Sequence, residues 1–216
     1  MKKNLTEIVF ILDRSGSMRG LESDTIGGYN SMLARQRNEK GEALISTVLF
    51  DNESEVIHDR VPIEKIQDIT EREYYVRGCT ALLDAVGGAI HHIGNVHKYA
   101  REEDVPERTL FIITTDGMEN ASRQYSYDKV KAMIERQKSK YGWEFLFIGA
   151  NIDSAEMGAK IGIERDFTVD YTNDGEGARL NYEVMSDAIS EVRSRSAAAL
   201  GRGWKQRIED RFKPKK

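Results

Sequence analysis

The sequence has little of what marks exported, disulfide-stabilised or membrane proteins. It contains one cysteine and three prolines in 216 residues, so an intramolecular disulfide is excluded, as is usual in a reducing compartment. The first apolar run, Ile8–Leu12, is too short for a secretory signal peptide, and no stretch has the length of a membrane span. We therefore expect a cytoplasmic protein without a membrane span.

No single sign of charge dominates either. The formal net charge of −4 at pH 7 argues against a surface that binds nucleic acid over the whole molecule. Of the four histidines, His91 and His92 are adjacent on a predicted helix and do not face one another, and His58 and His97 have no acidic or thiol companion at the spacing of a zinc site. A glycine-rich phosphate loop and a dinucleotide-binding fingerprint are also missing. Any functional site in this chain is therefore expected to be built from side chains that carry oxygen atoms.

Apolar, strand-like runs alternate with amphipathic, helix-like segments. Strands are predicted at Glu7–Asp13, Ala43–Asp51, Glu55–Ile63, Arg108–Thr115, Trp143–Gly149 and Asp166–Tyr171. Helices are predicted at Leu21–Arg37, Ala81–Tyr99, Asp128–Tyr141, Ser154–Ile161 and Gly177–Arg193. The alternation predicts an α/β fold with a doubly wound, mostly parallel six-stranded sheet and helices on both faces. A short turn joins the second and third strands, so the third is expected to be an antiparallel edge strand.

The end of the chain differs from the rest. Residues 1–195 are expected to form the domain, and residues 196–216 a basic C-terminal helix or tail. Trp204, Ile208 and Phe212 recur there at helical spacing among basic residues. Two interpretations stay open: a last helix that docks on the domain before a frayed end, or a basic amphipathic arm for a partner or an acidic surface. We expect no binding of nucleic acid except through this basic tail.

The loop after the first predicted strand carries most of the functional signal. Asp13, Ser15 and Ser17 alternate there, which places one carboxylate and two hydroxyls on a short segment. Such hard oxygen ligands suit Mg²⁺, Mn²⁺ or Ca²⁺ better than zinc or copper. Taken alone, however, the three residues are explained more simply as turn and helix caps.

Two further loops are predicted to meet this one. Asp116 follows the fourth predicted strand, and Thr80 lies where the second predicted helix begins. In a doubly wound sheet the first and fourth strands are neighbours where strand order reverses, so the loops at their carboxyl ends converge. The sequence therefore predicts a metal site made of Asp13, Ser15, Ser17, Thr80 and Asp116.

Three loops, in this order, resemble those of the von Willebrand factor type A family: Asp13-x-Ser15-x-Ser17, Gly78-x-Thr80 opening a helix, and Thr115-Asp116-Gly117 after a buried strand. The resemblance covers most of the chain. It implies a complete metal-ion-dependent adhesion site in which the three hydroxyls bind the ion and the two aspartates bind it directly or through water. It also implies that an open position on the ion recruits a Glu or Asp of a partner protein.

Six nearby residues are candidates for supporting the ion or touching its ligand: Gly16, Cys79, Gly117, Glu119, Asn120 and Asn151. Tight backbone turns explain the two glycines better than binding does. A solvated loop explains Glu119 and Asn120 equally well, and a turn or helix cap explains Asn151 and its neighbour Asp153. Cys79 is expected to be a small loop residue, with a redox-sensitive thiol as the alternative.

Three functions are compatible with these residues. The resemblance favours a protein-binding module without catalysis, dependent on Mg²⁺, Mn²⁺ or Ca²⁺. An enzyme alternative is a Mg²⁺-dependent phosphohydrolase with Asp13 as nucleophile, but Ser15 stands where its general acid is expected, and Thr114–Met118 contains no lysine for a phosphate. The third is a subunit of a larger complex with an ATPase of the AAA+ class, which would use the same open metal position.

Overall fold

The computed structural model describes residues 1–194 and 200–212. The strands are β1 (Lys2–Asp13), β2 (Glu42–Phe50), β3 (Ser54–Pro62), β4 (Pro106–Thr115), β5 (Glu144–Gly149) and β6 (Thr168–Asp170). The α-helices are α1 (Glu22–Arg37), α2 (Leu82–Tyr99), α3 (Tyr127–Tyr141), α4 (Ser154–Lys160), α5 (Gly175–Ser194) and α6 (Gln206–Phe212). Each predicted strand and helix is present with shifted ends. None of the helices in the described ranges is long and apolar enough to cross a membrane.

The six strands form one sheet in the order β3-β2-β1-β4-β5-β6. All neighbouring strands are parallel except β3, which runs antiparallel to β2 at the edge. The predicted fold class, including its antiparallel edge strand, is thereby confirmed. Strand order reverses between β1 and β4, which lie side by side, so the loops after these two strands open on the same edge of the sheet.

Helices cover both faces because the central strands carry apolar side chains on both sides. In β1, Phe10 lies in the core under α1 and α5, where its ring meets the ring of Tyr29 edge to face. The next residue, Ile11, lies in the core on the other face with Val86 of α2 and residues of α3. The sheet is thus packed between two helical layers, and this frame carries the loops at its edges.

The described part of the C-terminal segment, residues 200–212, packs on this frame. Trp204 and Ile208 are buried in the core that α1 and α5 cover, and the Trp204 indole N–H donates to the Asp166 carbonyl at 3.0 Å. Arg207 and Arg211 pair with acidic residues of α5 and of the loop before it. These contacts favour a docked helix over a free basic arm. Residues 196–199 and 213–216 of the predicted tail lie outside the described residues, and the domain boundary stays a prediction.

Candidate metal centre

The carboxylate of Asp13 ties the loop after β1 to the loop after β4. Its Oδ1 accepts a hydrogen bond from the Ser15 N–H at 2.7 Å, which closes a tight turn at the end of the strand. Its Oδ2 accepts from the Thr115 hydroxyl at 2.7 Å and from the Asp116 N–H at 3.2 Å. Asp13 is only 1% exposed, so this carboxylate is buried with donors on both oxygens.

The three predicted hydroxyl ligands lie together. The Oγ of Ser15 is 3.0 Å from the Oγ of Ser17 and accepts a hydrogen bond from the Thr80 hydroxyl at 3.1 Å. None of the three hydroxyls caps the helical segments that follow, whose N-cap positions show no side-chain cap bond. The simpler explanation of these residues as helix caps therefore has no support in the geometry.

The start of α2 is capped from the loop after β4 instead. Asn120 Oδ1 accepts from the Thr80 N–H at 2.9 Å, and Glu119 Oε2 accepts from the Leu83 N–H at 2.9 Å. The other oxygen of Glu119 accepts from the Ser122 N–H at 2.8 Å. Glu119 and Asn120 thus hold the main chain around Thr80, which leaves the Thr80 hydroxyl to face Ser15.

Two asparagine side chains hold the carboxylate of Asp116, which is 1% exposed. Asn151 donates to its Oδ1, and Asn173 donates to its Oδ2 at 2.6 Å. Asn151 has a φ of 56°, a left-handed conformation that asparagine adopts more readily than most residues. Asp153, by contrast, caps α4 by accepting from the Glu156 N–H at 2.8 Å.

Asn173 is absent from the site residues that the sequence predicted. It follows β6, a strand of only three residues that the sequence marks weakly. Because β6 is parallel to β5, the loop after it opens on the same edge as the loop that carries Asn151. A polar residue after the carboxyl end of a parallel strand is the signal that would have found it.

The carboxyl groups of Asp13 and Asp116 are both displaced toward their neutral forms. The pKa of Asp116 is raised to about 6 as the net result of three effects: burial raises it most, the hydrogen bond from Asn151 lowers it, and the charge of Asp13 raises it. Burial also raises the pKa of Asp13, against the opposing effect of its hydrogen bonds from Ser15 and Thr115 and from the Asp116 N–H. A cation at this edge would favour the ionised form of both groups.

Gly117 keeps space open beside the hydroxyls. A Cβ at this position would lie 3.2 Å from the Oγ of Ser17 and 3.4 Å from the Oγ1 of Thr80. A methyl group there would occupy the volume next to two of the oxygens. Gly117 therefore does more than permit a turn, because a side chain there would crowd these two oxygens.

The other two candidates contribute through the main chain. The N–H of Gly16 donates to the Gly78 carbonyl at 3.1 Å and so joins the two hydroxyl-bearing loops. Cys79 is exposed, and its N–H donates to the side-chain oxygen of Asn52. The position of Cys79 fits a loop residue next to Thr80.

The donor set suits a hard divalent cation. Within residues 1–194 and 200–212, no group of three or more His, Cys, Asp or Glu side chains could hold a metal ion, so an ion at this edge would need hydroxyls as well as carboxylates. Neutral hydroxyls with one or two carboxylates suit Mg²⁺ or Mn²⁺, which keep part of their water shell. Ser17 is exposed, which leaves one side of the site facing solvent.

A cavity of about 970 Å³ lies elsewhere, between α2 and α3 at the amino end of the sheet. Ile90, His97 and Trp143 are among its lining residues, and none of the predicted site residues lines it. Its size is in the range of small-molecule pockets, but it has no part in the arrangement of oxygens described above.

Comparison with known proteins gives a result only at the level of structure. No protein-family model and no curated protein matches the sequence. Among solved structures, the zinc-occupied form of proximal thread matrix protein 1 from the mussel byssus has a TM-score of 0.56 at 15% identity, covering 87% of this chain and 46% of that one. Its metal lies in a MIDAS motif, the metal-ion-dependent adhesion site. This chain thus spans less than half the length of that protein.

Two bacterial structures show the same likeness. A von Willebrand factor type A protein from Catenulispora acidiphila has a TM-score of 0.56 at 14% identity, covering 85% of this chain and 42% of that one. The vWF domain of the type V pili tip protein Mfa5 from Porphyromonas gingivalis has a TM-score of 0.59 at 13% identity, covering 90% of this chain and 98% of the other. At such identities the likeness concerns the fold alone, and the chain has the von Willebrand factor type A fold.

Proposed function

We propose that this protein is a metal-ion-dependent protein-binding module without catalysis, and that its ion recruits a Glu or Asp of a partner protein. The observation that carries the proposal is the meeting of three hydroxyls, those of Ser15, Ser17 and Thr80, beside the buried carboxylates of Asp13 and Asp116. The likeness to type A structures, one with a metal in its adhesion motif, supports the same function.

The roles of the residues follow from their chemistry. Ser15, Ser17 and Thr80 would hold the ion through neutral oxygens, while Asp13 and Asp116 would hold it directly or through water. Because hydroxyls donate little charge, the bound ion would supply an electrophilic position for a carboxylate oxygen. The protein's own part is to fix these oxygens in advance and to keep the space beside Gly117 clear.

The residues around Asp13 favour binding over hydrolysis. Ser15 stands where a phosphohydrolase with Asp13 as nucleophile would have its general acid, and Thr114–Met118 contains no lysine for a phosphate. The second candidate function, a subunit beside an AAA+ ATPase, uses the same open metal position and differs only in the identity of the partner.

The first experiment measures metal binding by calorimetry and by thermal unfolding. Mg²⁺ and Mn²⁺ are expected to raise the Tm, because a ligand at about 100 times its Kd adds about 2.7 kcal/mol of stability. Ca²⁺ and Zn²⁺ belong in the same series, the latter because zinc occupies the adhesion motif of the byssus protein. Thr80→Ala should abolish the shift, and Thr109→Ala, at another buried threonine, should keep it.

Wild-type protein that binds none of these ions at millimolar concentration would contradict the proposal. Hydrolysis of a phosphate ester that disappears in Asp13→Ala would favour the enzyme instead.

The second experiment identifies the partner by affinity capture. A partner bound through the ion should be retained in Mg²⁺, released by chelator and missing from the Thr80→Ala sample. Replacement of one Glu or Asp in the captured protein should then abolish its retention in Mg²⁺, as chelator does. A partner retained equally well in chelator would show that the contact does not pass through a metal.

A further inference from the structure

Beside the two hydroxyl-bearing loops lies a network of ion pairs that the metal site itself does not use. We call it the Arg14 network; it comprises Arg14, Asp51, Glu55, Tyr75 and Arg77. The Nε of Arg14 donates to Asp51 Oδ2 at 2.8 Å, and the Nε of Arg77 donates to the same oxygen at 2.7 Å. Arg14 Nη1 also lies 2.7 Å from Glu55 Oε2. Both guanidinium groups lie over the ring of Tyr75, 5.1 and 5.4 Å from its centre.

Asp51 is the shared acceptor of this network. Burial alone would raise its pKa, but hydrogen bonds from Arg77, from the Glu53 N–H and from Arg14 hold that pKa below its ordinary value. Arg14 is 0% exposed and Asp51 is 2% exposed. A buried arginine needs a charged partner, because an unpaired buried charge is strongly unfavourable.

The network connects the segments that carry the hydroxyls. Arg14 lies between Asp13 and Ser15, and Arg77 lies three residues before Thr80. Their main chains are also joined, since the Arg77 N–H donates to the Arg14 carbonyl at 2.9 Å. The carboxylate of Asp51 therefore binds one side chain from each loop.

The main chain of Asp51 adds a third connection. Its carbonyl accepts from the Ala81 N–H at 2.8 Å, directly after Thr80. The next residue, Asn52, packs closely on Gly78: a Cβ at Gly78 would clash with the Asn52 side-chain oxygen, and the φ of Gly78 is +70°. The turn that starts at Asp51 thus holds the Thr80 loop by its side chain, by its main chain and by close packing.

We propose that Asp51 is a positioning residue for the metal site, one that sets the approach of the Ser15 and Thr80 hydroxyls without touching the ion. This inference rests on the proposed metal-binding function. Loss of the Asp51 charge would weaken metal binding in two ways. The two loops would lose the ion pairs that they share through Asp51, and the charges of Arg14 and Arg77 would be balanced less well near a bound cation, with Glu55 left to pair with Arg14.

The test is the Mn²⁺ affinity of Asp51→Asn, measured by calorimetry at a temperature where circular dichroism shows each variant to be folded. Residues that orient metal ligands typically change affinity by about 10–100-fold when they are replaced, and we expect a loss of at least about tenfold here. Arg77→Gln, at a half-exposed side chain, removes one of the two arginine ion pairs of Asp51 and should weaken Mn²⁺ binding by a smaller factor. It decides the question if Asp51→Asn does not fold.

The matched control is Glu7→Gln, which disrupts another buried ion-pair cluster in the same sheet. Glu7 is 0% exposed; it accepts from Arg60 Nε at 2.7 Å and lies 2.6 Å from His97 Nε2, with no contact to the metal loops. This variant should lose stability and keep wild-type Mn²⁺ affinity.

The outcomes separate the two proposals. If wild-type protein binds no metal, the proposed function fails and this inference fails with it. If wild-type protein binds Mn²⁺, Thr80→Ala does not, and Asp51→Asn binds as tightly as wild type, only the role of Asp51 is overturned. Equal weakening in Glu7→Gln and Asp51→Asn would also overturn it, because the loss would then follow general stability.

Discussion

Asn173 donates a hydrogen bond from its side-chain amide to Oδ2 of Asp116 at 2.6 Å. The two residues follow β6 and β4, which are separated in the sheet by β5, and Asn151 after β5 donates to the other oxygen of the same carboxylate. Three successive strand ends therefore fix the orientation of one side chain. A carboxylate held in this way is preorganised, so little conformational entropy is lost when it binds an ion.

The first prediction concerns this hydrogen bond. Asn173→Ala should weaken Mn²⁺ or Mg²⁺ binding by about tenfold, because residues that orient metal ligands contribute to affinity at about that level. The Tm in chelator should change little, since Asn173 is exposed. Calorimetric titration of the variant beside wild type measures the effect.

Asn95→Ala is the matched control for that variant. Asn95 is an exposed asparagine on α2 and lines the cavity at the amino end of the sheet. Its replacement should leave metal affinity unchanged. Wild-type affinity in Asn173→Ala would show that the hydrogen bond to Asp116 has no role in binding.

The second prediction concerns the space beside Gly117. Gly117→Ala would place a methyl group 3.2 Å from Ser17 Oγ and 3.4 Å from Thr80 Oγ1, so we expect metal binding to weaken or disappear while the metal-free fold is retained. Thermal unfolding with and without Mg²⁺ separates the two effects. The comparison variant is Gly88→Ala in α2, where an added Cβ meets nothing within 4 Å.

Gly88→Ala should stabilise the protein by about 0.5–1 kcal/mol, because glycine is unfavourable inside a helix, and the shift caused by Mg²⁺ should persist. An undiminished Mg²⁺ shift in Gly117→Ala would show that metal binding does not need the space beside these oxygens.

The sequence predicted the sheet and the three converging loops because these features follow from local patterns. Unbroken apolar runs mark buried parallel strands, and a reversal of strand order brings the loops after β1 and β4 together. Asn173 was missed because the strand before it, β6, has only three residues and a weak sequence pattern. Asp51 was missed because its role depends on contacts with Arg14 and Arg77, residues distant in sequence that no spacing rule connects to it.

The third prediction concerns the main-chain support of Asp13. The buried hydroxyl of Tyr74 donates to the Asp13 carbonyl at 2.6 Å. Tyr74→Phe removes that donor and leaves a buried carbonyl with one partner fewer, so we expect a loss of about 1–3 kcal/mol in the free energy of unfolding. Because this carbonyl lies at the start of the Ser15 loop, Mg²⁺ affinity should fall as well.

Tyr29→Phe provides a comparison at equal burial. Tyr29 is also 0% exposed, and its hydroxyl lies 2.5 Å from Thr47 Oγ1, away from the metal loops. Both variants should lose stability in urea unfolding, and only Tyr74→Phe should lose Mg²⁺ affinity. Parallel losses of affinity would mean that the effect of Tyr74 passes through general stability.

The fourth prediction concerns the docked C-terminal segment. Trp204 is 8% exposed, packs in the core under α1 and α5, and donates to the Asp166 carbonyl. Trp204→Ala should therefore lower the free energy of unfolding by about 3–5 kcal/mol, as for other buried aromatic residues. Arg202→Ala removes a nearby ion pair with Asp166. The Arg202 side chain is 85% exposed, so this variant should change the free energy of unfolding by no more than about 1 kcal/mol. If Trp204→Ala unfolds at the wild-type urea concentration, the segment is an appendage, and the boundary expected after residue 195 would divide two independent parts.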